Sequence, residues 1–328
     1  MKRVILGLTL IAALPLAVVG QDALRPTATP EQKTSIETEA PVERDNITVT
    51  LPWEDRENRG LGFEPHSIEK PSWGPSSICI ANDEILVADA VRSRVSRWSL
   101  DGTFLEEREI PFAPGSIWCA SNTHFWVFNG TWEMGYSSES EAGGMRYPLP
   151  ERTIDVVTGP ANKPWAVLAD GFSVPVTGKA GFKRAMPLGR AQSGHAVARK
   201  TGPKSGEILF WNWESPPEVK GDGPARVLGF ETSGKLGSIQ PLGIDNLNRV
   251  YVQLEVLADQ IPVRVKNQVV RVDENGMREE VTWTPSATAP HLDGIFLADT
   301  GQLYRFSSLE TGFVVHEFAA SEWKRGVK

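Results

Sequence analysis

From Gly74 onward the chain is cut into short runs rich in β-branched and aromatic residues, each ended by turn formers, and this punctuation repeats. The stretch "GPSSICIANDEILVADAVRSRVSRWSLDGTF", Gly74 to Phe104, contains the runs "SSICIAN", "EILVADA" and "RVSRWSL", and "TFLEEREI" follows. Runs of this length and composition read as strands. Asp101-Gly102 tolerates the positive φ that a tight hairpin needs. Four antiparallel strands in about forty residues make one blade of a β-propeller. Comparable first strands start near Ser76, Ser116, Thr153, Gly194, Pro241 and His291, a period of about 40–50 residues that is characteristic of propeller repeats. Second strands align as "EILVAD", "HFWVFN", "PWAVLAD", "EILFWN", "RVYVQL" and "QLYRFS". The expected fold is therefore all-β, a six-bladed β-propeller spanning residues 46–328. The sixth unit has only three strands of its own, "HLDGIFLAD", "QLYRFSS" and "GFVVHEFAA". "NITVTLPW", Asn46 to Trp53, is expected to supply the fourth, so that an N-terminal strand closes the last blade and removes two exposed sheet edges.

The first twenty residues, "MKRVILGLTLIAALPLAVVG", have a short basic head, an apolar run and small residues at Val18 and Gly20 before Gln21. This is the pattern of a cleaved signal peptide, and Pro15 interrupts the run as a membrane span. Residues 21–45 are rich in Pro, Thr, Glu and Ala without apolar period. Such a segment buries too little surface to offset its ordering entropy and reads as a disordered tether. A secreted or periplasmic location is expected, with no membrane insertion after signal cleavage. The chain carries 34 basic and 41 acidic residues, a formal charge of −7. No basic stripe is present, which argues against nucleic acid as a partner.

"GPSSICIANDEILVADAVRSRVSRWSLDGTFLEE" resembles the NHL-like repeat of exported six-bladed bacterial propellers, through Gly74, Pro75, Asp89, Arg94, Val95, Asp101 and Gly102. Arg92 stands where that pattern has Asn. "IDNLNRVYVQL" with "VVRVDENG" resembles a second copy. The resemblance implies a fold and no particular activity.

Eleven tryptophans suggest ligand stacking, but their places argue otherwise. Trp126, Trp165, Trp211, Tyr251 and Tyr304 recur in second strands, where packing between repeats needs a large residue. Trp53, Trp73, Trp132, Trp213 and Trp283 fall near turns and are the better contact candidates. Cys79 and Cys119 sit in first strands of adjacent repeats, offset by one position. They either face each other and form a disulfide, as an oxidising compartment permits, or remain two small buried thiols.

First strands also carry polar groups: Asp155, His195, Asp245, His291 and Asp293. In a propeller these line the central channel, where Asp and His either hold a divalent cation or are solvated by ordered water. No cofactor is expected on the leading reading, and Asp245 is expected to begin the turn after its strand. Long linkers, "TWEMGYSSESEAGG", "WESPPEVKGDG" and "EVLADQIPVRVK", are read between second and third strands of repeats two, four and five. They would share one face with Arg152, Arg190, His195 and His291, and long loops on one face of a repeat scaffold are where binding resides. The leading expectation is a non-catalytic binding or scaffold module that meets a protein, glycan or small ligand on that face. The alternative is a lactonase-like, metal-assisted hydrolase or lyase using the channel groups. A structural partner in an envelope assembly is a third class. Asn46 and Asn129 begin glycosylation triplets.

Overall fold

The computed structural model describes residues 47–325 except 55–58, 68–69, 132, 139–143, 160–162, 169–172, 177–193, 213–225, 248, 259–263, 274, 285–293 and 299. The signal and tether readings, residues 1–45, lie outside the described residues. Described secondary structure is strand, apart from one short 3-10 turn at Ala320–Glu322. No helix among the described residues is long and apolar enough to cross a membrane.

The strands are β1 (Thr48–Leu51), β2 (Ser77–Ala81), β3 (Glu84–Asp89), β4 (Arg94–Ser99), β5 (Phe104–Glu109), β6 (Pro114–Cys119), β7 (Phe125–Asn129), β8 (Met134–Ser137), β9 (Met145–Pro148), β10 (Thr153–Gly159), β11 (Lys163–Leu168) and β12 (Ser173–Pro175). They continue as β13 (Gly194–Lys200), β14 (Ser205–Asn212), β15 (Arg226–Glu231), β16 (Lys235–Ile244), β17 (Val250–Leu257), β18 (Val265–Val272), β19 (Arg278–Trp283), β20 (Gly294–Leu297), β21 (Leu303–Leu309), β22 (Gly312–Glu317) and β23 (Lys324–Arg325). They form six antiparallel sheets. In chain order these are β2–β5, β6–β9, β10–β12, β13–β15, β16–β19 with β23, and β20–β22 with β1.

The first sheet explains why such units cannot stand alone. Successive side chains of a strand point to opposite faces. In β3, Ile85 and Val87 face the sixth sheet, packed with Val49, Leu51, Phe313 and Val315. Leu86 and Ala88 face the second, packed with Ile117, Cys119, Phe125 and Val127. All four are fully buried, and burying each large aliphatic contributes roughly 1.5–3 kcal/mol. A strand apolar on both faces needs a sheet on each side. The outer strand β5 shows the other limit: Leu105, Glu106, Glu107 and Glu109 are exposed. Further clusters join the second and third sheets, the fourth and fifth, and the fifth and sixth.

The turns follow their sequence cues. Gly102 adopts φ +87°, and Asp101 accepts the Thr103 N–H at 3.0 Å. At the chain ends, β1 pairs antiparallel with β22, Thr48 opposite His316 and Leu51 opposite Phe313. It occupies the outer place of the sheet built from the last strands. Beyond β22 the chain crosses to the fifth sheet, where β23 pairs with β19. There Arg271 lies 4.1 Å from the Trp323 ring centroid.

Three readings of the sequence are corrected. β13, "GHAVARK", was expected as a first strand, but its direction is that of a second. Its far end meets the start of β16, where Leu236 N donates to Pro203 O (2.7 Å) and Lys200 Nζ to Leu236 O (2.6 Å). The end of β3 meets the start of β6 in the same way, with Ser76 Oγ spanning Ala88 O and Pro114 O. The first strands β2 and β6 start side by side instead, Ile117 N donating to Ser77 Oγ. β13 thus runs opposite to the first strands β2 and β6, and it is the first described strand of its sheet, beside β14.

Secondly, "TWEMGYSSESEAGG" is not one linker, because Met134–Ser137 is a strand, β8. Gly135 hides it from sequence reading. The Tyr147 ring of β9 lies over Gly135 so closely that a Cβ would collide with it, the close approach that explains glycine inside a strand. Thirdly, the long linkers therefore do not share one face. That of the second sheet, 138–144, joins a third strand to a fourth, and that of the fourth sheet, 213–225, joins β14 to β15 in a sheet whose strands run the other way. Only that of the fifth, 258–264, joins a second strand to a third.

Candidate functional site

Of the polar groups singled out by sequence, Arg152 and Asp245 are the ones whose side chains are described. Arg152 is exposed in the turn between β9 and β10, at φ +66°. Asp155 lies in β10 opposite Val167, just past a register shift. His195 lies in β13 opposite Trp211. The side chains of Asp155 and His195, and all of Arg190, His291 and Asp293, lie outside the described residues. Among the described residues no three His, Cys, Asp or Glu side chains lie close enough to hold a metal ion. Cys79 and Cys119 are joined as a disulfide with a Cα–Cα distance of 6.2 Å. The bond lies at the buried seam between the first and second sheets.

The buried electrostatics centre instead on two aspartates, both fully buried. Asp89 ends β3. Its Oδ1 accepts the Arg92 N–H at 3.2 Å. Its Oδ2 accepts Gly62 N at 3.0 Å and Arg94 Nε at 3.2 Å. Arg94 also donates to Glu107 at 2.6 Å, Glu54 at 3.2 Å and the Gly60 carbonyl. One carboxylate therefore fixes its own turn and the segment entering the first sheet. Burial pushes the Asp89 carboxyl above its usual range, against the lowering effect of these donors.

Asp245 directly follows β16 and begins a turn, as expected. Its Oδ1 accepts the N–H groups of Leu247 and Arg249, each at 2.9 Å. Its Oδ2 accepts Arg249 Nε at 2.7 Å and lies 2.9 Å from the Tyr251 hydroxyl. That hydroxyl is also 3.1 Å from the Gly301 carbonyl, in the sixth sheet. Burial, and then the Asp245 charge, raise the Tyr251 phenol well above its ordinary value. Gly301 sits at φ +85°, where a Cβ would press on Asp245 and Arg249. A carboxylate has about four lone-pair sites. At Asp89 and Asp245 three or four donors occupy them, so both act as turn clamps. Sequence flagged Asp89 with Arg94 as a motif, but nothing in it announced the donors from Gly62 and Tyr251.

The remaining candidates resolve similarly. Asn129 of "NGT" accepts Glu133 N and Met134 N, both at 2.9 Å, and donates to Thr131 at 2.7 Å, so it holds the β7–β8 turn. Trp126 is buried between the second and third sheets, Tyr251 and Tyr304 between the fifth and sixth or sixth and first. Trp53 stacks on Phe63 at 4.7 Å and donates to the Leu309 carbonyl at 2.9 Å. Trp283 is buried, and Trp73 is 45 % exposed. Trp132 and Trp213 lie outside the described residues.

No protein-family model matches the chain, and no curated protein matches it. Solved structures similar to it include virginiamycin B lyase from Staphylococcus aureus, at 11% identity and TM-score 0.45, covering 84% of this chain and 99% of that one. Regucalcin from Agrobacterium tumefaciens, a calcium-binding protein, is similar at 9% identity and TM-score 0.42, covering 74% and 89%. BamB from Moraxella catarrhalis is similar at 11% identity and TM-score 0.33, covering 74% and 69%.

Proposed function

We propose that residues 46–328 form a six-bladed β-propeller of the NHL-like kind, closed by β1. In this reading it is exported behind residues 1–20 on the tether 21–45 and works as a non-catalytic binding or scaffold module in a secreted or periplasmic setting. The observation that carries the reading is the use of buried charge. The two buried carboxylates among the described residues, Asp89 and Asp245, are saturated by backbone, arginine and tyrosine donors. A carboxylate committed to its own turn holds the fold and is not free to take a substrate proton or a metal. A rigid ring of sheets with linkers at both ends then presents surfaces to a protein, glycan or small ligand.

The test is elemental analysis of the purified chain, melting with and without a chelator, and assay against lactone and ester substrates. The expected outcome is no tightly held divalent ion, no chelator effect on melting and no turnover. Stoichiometric divalent metal, with lactone or ester hydrolysis lost on Asp155→Ala or His195→Ala, would replace this reading with a metal-assisted hydrolase.

A further inference from the structure

A strand at the edge of a sheet presents a row of unpaired N–H and C=O groups, ready to take another strand. Most sheets of this chain blunt the edge away from their first strand. β5 carries Glu106, Glu107, Arg108 and Glu109, β9 and β12 are short and end at Pro148 and Pro175, Pro52 follows β1, and β23 covers β19. β15 has none of these devices. It bonds to β14 alone, and its six residues, "RVLGFE", include no proline.

The direction of its backbone groups follows from the neighbouring bonds. Thr232 N donates to Lys204 O at 2.8 Å, and Ser205 O accepts Thr201 N, on the far side of β14, at 3.0 Å. Ser205 lies opposite Glu231. Bonding alternates along an antiparallel ladder, so Leu228 and Phe230 bond to β14. Val227, Gly229 and Glu231 turn their N–H and C=O groups outward. The Glu231 carbonyl accepts the Arg278 guanidinium of the fifth sheet at 2.9 Å, as that direction requires. Among the described residues nothing else bonds to these outward groups.

The surroundings of the edge suit a peptide. A cleft of about 690 Å³ is lined by Leu228 to Thr232 of the fourth sheet and by Val272 and Arg278 of the fifth. A Cβ built on Gly229 would meet no atom within 4 Å, and glycine inside a strand often marks the close approach of another backbone. Leu228 and Phe230 make the face toward the fifth sheet apolar. The opposite face carries Val227, 49 % exposed, and the exposed Glu231. Arg278 is paired with Glu280 and Glu207 with Arg199. Glu231 has no ion pair among the described residues and adds an unmatched carboxylate to a chain of formal charge −7.

We propose that β15 takes an extended segment of a partner protein as a further strand of the fourth sheet. The segment bonds to the backbone of Val227 and Gly229 and to the Glu231 N–H. Its apolar side chains lie on the Leu228 and Phe230 side, and a lysine or arginine on the other side meets Glu231. Main-chain bonds supply affinity in this mode of recognition, and alternate side chains supply specificity. This deepens the binding-module reading and rests on it.

The probe is a dye-labelled, end-blocked peptide alternating valine and lysine, as long as β15, titrated into the purified full chain and followed by fluorescence anisotropy. Saturable binding with one site per chain is expected, about tenfold tighter than for a peptide of the same composition with its valines and lysines in separate blocks. Gly229→Pro removes an outward N–H and leaves the β14 ladder intact, which is where an edge strand tolerates proline. It should weaken binding about tenfold or more. Glu231→Lys, at an exposed position, should weaken it about tenfold at low salt. Melting of each variant establishes that it is folded, and Glu231→Lys carries the test if Gly229→Pro is not. Absence of saturable binding, equal binding of the two peptides, or wild-type affinity in the folded variants overturns the proposal. So does self-association of the chain that Gly229→Pro abolishes, because a second copy then holds the edge. Failure of the peptide in a metal-free, non-hydrolytic protein removes the edge site and leaves the module reading standing. Lactone or ester turnover removes that reading, whatever the peptide does.

Discussion

The first and fifth sheets both carry a buried aspartate that clamps a turn, yet the two clamps hold different things. Asp89 reaches outside its sheet: Gly62 N bonds it directly, and Arg94 beside it binds Glu54 and the Gly60 carbonyl. Asp245 bonds mainly within its own turn, through Leu247 and Arg249, and touches the sixth sheet only by way of Tyr251. The first sheet is further tied to the second by the Cys79–Cys119 bond. The fifth is tied to the end of the chain by β23 and Trp323. The same residue type at a strand end is thus a long-range tie in one place and a local one in the other. What decides the matter is which distant backbone lies beside it.

The largest expected effect follows from the covalent tie. The disulfide closes a loop with a sequence separation of 40, and losing it in the double Cys79→Ser, Cys119→Ser variant should cost up to about 4 kcal/mol on the chain-entropy estimate. Denaturant unfolding measures it, and an unchanged midpoint would show that the seam is held by packing alone. Next come the clamps. Asp89→Ala strands an arginine and two backbone donors and should cost about 3 kcal/mol or more. Asp245→Ala should cost less, about 2 kcal/mol, because its donors lie near the turn surface and Tyr251 keeps the Gly301 carbonyl. Equal losses would erase the distinction between the two turns. Tyr251→Phe, which removes only the hydroxyl, should cost about 1 kcal/mol.

The smallest effect is in pH. Burial raises the Asp89 carboxyl, so the native state holds more protons than the unfolded chain between the ordinary value and the raised one. Its contribution to stability therefore grows as pH falls into that window and is lost as pH rises through it. Glu84 behaves oppositely: the hydrogen bond from Arg97 lowers it, so its contribution is present above the ordinary carboxylate value and is lost in acid. Unfolding free energies from about pH 3 to 6 should fall more steeply toward acid in Asp89→Asn and less steeply in Glu84→Gln. Parallel curves for the two variants would contradict the opposed signs.

The first sheet was legible because every level agreed: alternating apolar residues, an Asp-Gly hairpin, and a motif ending in Asp89 and Arg94. The Thr48–Leu51 strand was legible from what the last repeat lacked. β8 was not legible, because Gly135 and Ser137 carry little strand propensity and the reason for the glycine is a tyrosine on the next strand. The direction of β13 escaped for another reason. Strand-length runs of similar composition do not say whether they run toward or away from the next repeat, and only the contacts of Lys200 and Pro203 with Leu236 do. Once the direction of β13 reversed, the single long-linker face was lost with it. The donors to Asp89 and Asp245 from Gly62 and Tyr251 belong to the same class: proximity through the fold, invisible in spacing.

The account depends most on β1 being an integral strand of the last sheet, with Val49 and Leu51 buried between the sixth and first sheets. The most direct measurement compares thermal melting of the chain starting at Gln21, the chain starting at Asn46, and the chain starting at Glu54. Equal melting for the first two and loss of cooperative unfolding in the third is the predicted result. A chain starting at Glu54 that melts cooperatively at the same temperature would contradict it.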